Sequence, residues 1–187
     1  QPSRSCDFVA INFNVDDDGE VIDDGEYVSS QWKDKGFKVM ASGGFAPGNY
    51  ARLFDTAQPG NQAKGTPRLV SPKGMAPIGK VLIVQSKNQH QPEASDTVVV
   101  TFMFENTIDE VYEIGLLNVE NNVAIHITDS TNSVVTLNVS PDGTAGLIRV
   151  PINVQFVTKL EVVTNGPVGI TEIKICQDLS KTPSPFG

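Results

Sequence analysis

Cysteine is nearly absent from this chain, which has only Cys6 and Cys176, one near each end. Histidine is equally scarce, with His90 and His126 alone. Zinc takes three or four nitrogen or sulfur ligands, and two histidines fall short of that once the two cysteines are expected to be bridged to each other. Aromatic residues make up 7%, with one Trp and three Tyr. Clefts that cleave sugars and faces that bind them are commonly lined with rings, so the scarcity weakens both readings. Basic charge is also short: the net charge of −8 argues against nucleic acid or anionic membrane as partner. No apolar run approaches the ~20 residues that cross a bilayer, which argues against membrane insertion. A GxSxG elbow and a Cys/His nucleophile context are missing, so a hydrolase triad has no support. A carboxylate pair for glycoside hydrolysis stays open, because acidic residues are plentiful. There is no internal repeat.

What is present is alternation. Val9, Ile11, Phe13 and Val15 alternate with Phe8, Ala10, Asn12 and Asn14, giving a strand with one wholly apolar face. Asp18-Gly19 marks a turn after it. Further strands are expected at 37–42, 51–55, 80–86, 97–104, 112–119, 123–129, 133–139, 146–152, 159–164 and 169–177. Residues 26–35 are expected as a short helix ending at Gly36. Many short strands with turn residues at this spacing predict an all-β fold: a single-domain, jelly-roll-like β-sandwich with one short helix and one long loop. With 187 residues the chain can bury a substantial core as one domain. That domain is placed at 1–179, with a Pro-containing tail at 180–187.

Strand parity bears on the cysteines. If Val9, Ile11 and Phe13 face inward, Cys6 belongs to the outward set. If Ile173 and Ile175 face inward, Cys176 lies outward with Lys174 and Glu172. Adjacent first and last strands would then bring the two thiols within bonding distance. Closing a loop that long removes about 5 kcal/mol of unfolded-state freedom in the chain-entropy model. The bridge could lie within one chain or join neighbours. A disulfide belongs to an exported protein, and a chain that begins at Gln1 without Met looks processed; the expected location is extracellular or at the cell surface. Asn138-Val139-Ser140 is an N-glycosylation sequon.

Charge is unevenly distributed. Asp16, Asp17, Asp18, Glu20, Asp23, Asp24 and Glu26 crowd the segment between Asp7 and Asp34, while Lys64, Arg68, Lys73, Lys80 and Lys87 mark a stretch almost without acids. These are either solvated loops of opposite sign or complementary patches that steer one copy onto the next. The stretch 56–79 is rich in Gly, Pro and polar residues, the pattern of a functional loop or a packing arm.

Asn14, Asp16 and Asp18, followed by Gly19, resemble the first half of a calcium loop. Glu20 would add a backbone carbonyl and Asp23 a further carboxylate. The twelfth position is Gly25 rather than a bidentate Glu, so this is not an EF-hand. The choice is between a Ca2+ site and a plain acidic hairpin; no cofactor is required by anything else. Asp55 and Glu172 are weaker carboxylate candidates, either of which could be a loop cap or an outward side chain. His126 reads as solvent-facing. Trp32 and Tyr50 are the best sugar-stacking rings, with packing the competing role for each.

The segments INFNVDDDG (Ile11–Gly19), ARLFDT (Ala51–Thr56), GTPRLVSP (Gly65–Pro72), Val81-Leu82-Ile83, IGLL (Ile114–Leu117) and GITEI (Gly169–Ile173) occur in an order that resembles an uncharacterised family of extracellular β-sandwich domains of microbial surface proteins. The resemblance implies a jelly-roll-like sandwich outside the cell and supplies no catalytic residues. Lys64 and Arg68 stand where that family usually has acids, which argues against a metal in that loop.

Two functions follow. The first is a non-enzymatic structural subunit that self-assembles, as a homopolymer or surface fibre, by donating Val9, Ile11, Phe13 and Val15 to a neighbour's groove. The alternative is a calcium-stabilised carbohydrate-binding or adhesion module, with glycans as partners.

Overall fold

Among the described residues, runs rich in Val, Ile, Phe and Thr form nine antiparallel strands. The computed structural model describes residues 7–16, 18–23, 25–43, 51–57, 78–84, 96–143 and 146–177. The strands are β1 (Asp7–Asn12), β2 (Phe37–Gly43), β3 (Ala51–Asp55), β4 (Lys80–Val84), β5 (Thr97–Leu117), β6 (Val123–Asp129), β7 (Val134–Val139), β8 (Leu147–Asn165) and β9 (Gly169–Gln177). Hydrogen bonding joins them in the order β3-β4-β9-β5-β8-β6-β7, with β1 also on β9 and β2 also on β5.

The continuous sheet becomes a two-layer sandwich because β5 and β8, with 21 and 19 residues, serve both layers. Thr97–Met103 pairs with the C-terminal end of β8, between β2 and β6. Ile108–Leu117 pairs with the N-terminal end of β8 and with β9, which also carries β1 and β4. Between these halves the register shifts at Met103/Ile108 and again at Val111/Glu113. Extra residues at such places bend a strand and sharpen its twist. On β8 the mismatch is absorbed by Asn153 and Phe156, at φ 53 and 57. The sequence therefore suggests breaks that the backbone does not make. The separate strands expected at 97–104 and 112–119, and at 146–152 and 159–164, are each halves of one. A bulge interrupts side-chain alternation as a loop does, while pairing continues through it.

A large core fills the space between the layers, and a smaller cluster of Phe54, Val81, Ile83 and Leu117 packs separately from it. The aromatic part of the large core is Phe13, Trp32, Phe37 and Phe102. Trp32 stacks on Phe37 at 5.8 Å and 7°, and meets Phe13 edge-on at 5.4 Å and 84°. The indole Nε1 donates to the Val15 carbonyl at 3.1 Å. Trp32 is 1% exposed, so its packing role displaces the sugar-stacking one.

The helix expected at 26–35 shrinks to one 3-10 turn, Lys33–Lys35, ended by Gly36 at φ 87. The residues before it are held extended. Val28 N–H donates to the Ala51 carbonyl at 2.8 Å, and Val39 N–H to the Ser29 carbonyl at 2.8 Å. Ladder bonds to β2 and β3 outweigh the weak helix preference of this segment.

The N-terminal ribbon completes its own sheet. β1 runs antiparallel to β9 with Val9 opposite Ile175 and Ile11 opposite Ile173. Ile11 and Phe13 are buried in the core of the same chain, and Val9 packs against it. Val15 bridges Val21 in the following hairpin. In the single chain the apolar face expected to be donated to a neighbour is filled by the chain's own core.

Candidate functional site

The outer face of β1, β9, β5 and β8 gathers rings and charges that lie far apart in sequence. Register sets three rows across it. Phe8, Cys176, Glu110 and Gln155 form the first; Ala10, Lys174, Glu113 and Pro151 the second; Asn12, Glu172, Gly115 and Arg149 the third. Tyr112 is the extra residue of β5 where Val111 and Glu113 face the consecutive residues Ile175 and Lys174. The bulge turns its ring toward Phe8, with centroids 4.9 Å apart and planes tilted by 32°. Phe8 is 73% exposed, far more than a packing ring needs.

Cys176 lies in the row between Phe8 and Glu110. Parity places it outward with Lys174 and Glu172, yet it is buried. Cys176 is not a free thiol. Its expected partner, Cys6, lies outside the described residues.

Next to the rings four charges close a circuit. Arg149 Nη1 lies 2.7 Å from Glu172 Oε1 and 3.5 Å from Glu113 Oε2. Lys174 Nζ lies 3.1 Å from Glu113 Oε2 and 3.7 Å from Glu172 Oε1. Cations and carboxylates alternate, so the group is neutral and its side chains hold one another in place. The Arg149 and Lys174 side chains remain 48% and 41% exposed, so solvent screening keeps each pair within about 1 kcal/mol of stability. Their N–H donors and carboxylate acceptors are positioned but open to an outside partner. Desolvation, then the nearby Glu110 carboxylate, holds the Tyr112 phenol above its ordinary pKa. The Tyr112 side chain is hydrogen-bonded to Glu110.

Among the candidates singled out in the sequence, Cys176 and Glu172 belong to this face. In the acidic hairpin, Asp16 Oδ1 accepts the Asp18 and Glu20 amides, each at 2.9 Å. Asn14 Oδ1 accepts the Lys80 amide at 3.0 Å. The Asp23 amide donates to Glu26 Oε2 at 3.3 Å. These groups shape turns, and among the described residues no three Asp, Glu, His or Cys side chains converge on a common cation position. Asp55 caps a loop by accepting the Ala57 amide at 2.9 Å. His126, half-buried on β6, meets Thr136 Oγ1 through Nδ1 at 2.9 Å. Asn138 is exposed on β7. Tyr50, His90, Lys64, Arg68, Lys73 and Lys87 lie outside the described residues, as do Asp17 and Asp24, so the complementary-patch expectation is left where the sequence put it.

Phe8, Tyr112, Glu113, Arg149 and Lys174 escaped the sequence reading. Alternation put Phe8 and Lys174 outward, which was a usable signal. Nothing in the linear order shows that Tyr112 bulges toward Phe8, or that Arg149 falls between Glu113 and Glu172.

A cavity of ≈ 10 Å³ between Val98, Val100, Thr164 and Ile170 has room for a water molecule and no more. Among the described residues no helix is long and apolar enough to cross a membrane.

No family model matches the chain, and no curated protein matches it. Among solved structures the fold is similar to a family 29 carbohydrate-binding module complexed with mannohexaose, at TM-score 0.47 and 8% identity over 92% of each chain. Another structure of that module family gives a TM-score of 0.44 at 8% identity, covering 96% of this chain and 97% of the other. The lectin-binding domain of Lectinolysin complexed with Lewis b gives 0.38 at 12% identity, over 52% of this chain and 71% of that one. At these values the likeness carries no argument about ligand.

Proposed function

We propose that this protein is a non-catalytic glycan-binding domain acting outside the cell or at its surface, and that it engages sugar chains on the outer face of β1, β9, β5 and β8. The observation that carries the reading is the exposed Phe8–Tyr112 ring pair beside the Glu113–Arg149–Glu172–Lys174 circuit. A pyranose ring has an apolar C–H face and a rim of hydroxyls. The first suits the negative π-face of an aromatic ring. The second suits alternating fixed donors and acceptors. An open sheet face favours a stretch of polysaccharide over a single sugar, which would need a pocket to bury most of its surface. The acidic hairpin has no part in this reading.

The test is affinity electrophoresis or array binding with neutral glucans, mannans and charged polysaccharides. The expected result is retention by at least one glycan, abolished in a Phe8→Ala/Tyr112→Ala double variant whose melting temperature is close to that of the parent. Retention that survives the double variant, or no retention by any glycan, refutes the assignment.

A further inference from the structure

The two ends of the strand order are protected differently. At one end, β3 is covered by the chain's own segment: the Gly25 amide donates to the Leu53 carbonyl at 2.9 Å, the Leu53 amide to the Glu26 carbonyl at 3.0 Å, and the Val28 amide to the Ala51 carbonyl at 2.8 Å. At the other end, β7 pairs with β6 along one edge. Among the described residues no further backbone bond reaches it. β7 reads VVTLNV, six residues without a charge or a proline, and Val134 and Val135 are 57% and 42% exposed. An uncovered, apolar, high-propensity edge is a template for strand addition by another chain. Natural sheets block such edges with lysine, proline, bulges or a cover, and β7 itself has no lysine or proline.

It does have the chain's single Asn-X-Ser/Thr tripeptide, Asn138-Val139-Ser140. Asn138 lies opposite Ala124 in the β6 register, and both Asn138 and Ser140 are exposed. We propose that Asn138 carries an N-linked oligosaccharide that shields the open edge of β7 from pairing with a second copy of this chain. The coincidence of two independent features on one strand, the sole sequon and an edge that no other described backbone group covers, carries the inference. A bulky hydrated glycan on the edge would do sterically what an edge lysine does by charge. In the transfer, the Asn138 amide nitrogen attacks the anomeric carbon of an oligosaccharide held on a lipid diphosphate. A C–N bond forms and the C–O bond to the diphosphate breaks. The amide loses one proton, the lipid diphosphate departs, and nothing is oxidised or reduced. The proposal is independent of the glycan-binding face, which lies on the β9 side of the sheet.

The experiment is secretion of the chain from a eukaryotic cell, followed by N-glycan release and sedimentation velocity. The expected result is one glycan on the parent, seen as a single mobility step lost on enzymatic release, and none on Ser140→Ala or Asn138→Gln. Ser140→Ala keeps the neutral Asn138, so any change in association reports the missing sugar. At matched concentration the parent should sediment as a monomer and both variants as dimers or larger. Adding Val135→Lys to Ser140→Ala should restore the monomer. An unmodified parent overturns the site. Variants that stay monomeric, or association that persists with Val135→Lys, overturn the shielding role.

Discussion

Replacing Trp32 with Phe separates a packing residue from a ligand platform. The indole is 1% exposed and contacts Phe13 and Phe37, and its Nε1 donates to the Val15 carbonyl. Phenylalanine would keep a ring in the slot but remove the donor and some volume. Loss of that hydrogen bond costs about 1 kcal/mol. The residual space adds about 1–2 kcal/mol if neighbours relax only in part. A total of about 2–3 kcal/mol lowers the melting temperature by roughly 4–12 °C for a domain of this size. Differential scanning calorimetry measures the shift. Fluorescence of the parent, whose only tryptophan is Trp32, should be blue-shifted and poorly quenched by iodide. Glycan retention, if present in the parent, should be unchanged in the variant at a temperature where both are folded. A variant with normal melting and lost retention would refute the reasoning, because Trp32 would then be a sugar platform.

Gly115 should resist substitution, since a Cβ there would sit 2.1 Å from Thr171 Oγ1. Gly115→Ala is expected to cost about 1–3 kcal/mol through overpacking, and Thr171→Ala should recover part of it in a double-mutant cycle measured by urea denaturation. Asp129 is held below its ordinary pKa by the Thr131 hydroxyl first, then by the Thr131 and Ser133 amides. A depressed folded-state pKa adds stability above the unfolded value that is lost as pH falls through the folded one. The melting-temperature advantage of the parent over Asp129→Asn should therefore hold down to about pH 4 and shrink below it; an advantage that persists unchanged at still lower pH would contradict it. Glu113→Gln opens the charge circuit at an exposed site and should cost no more than about 1 kcal/mol. That cost should diminish in ~1 M salt, where the Debye length falls to about 3 Å, and thermal melts at two salt concentrations measure it.

Much of the architecture was legible in the residues. The positions of β2 and β6 follow from alternation, which reports a half-buried strand wherever one face packs and the other is wet. The long strands were not legible, because the bulges at Met103/Ile108 and Val111/Glu113 shift the phase of burial and imitate a strand ending. The helix expected before Gly36 failed for a related reason: Val28 and Ser29 bond to β3 and β2, partners that local propensity does not see. The acidic run looked like a ligand set because spacing shows which oxygens could converge, whereas Asp16 and Asn14 turn theirs to backbone amides.

By itself the chain determined that the protein is an all-β domain with an apolar first strand, a sparse set of rings and one sequon on a β-strand pattern. Tertiary structure alone decided where that first strand goes, which rings are buried and which meet at the surface, and which charges close into a circuit. The physical reason is register. Alternation fixes the face on which a side chain emerges, but its neighbours across the sheet depend on pairing between segments far apart in sequence, 168 residues for Phe8 and Cys176. Only the folded pairing brings Phe8 to Tyr112, and Arg149 to Glu172 and Glu113.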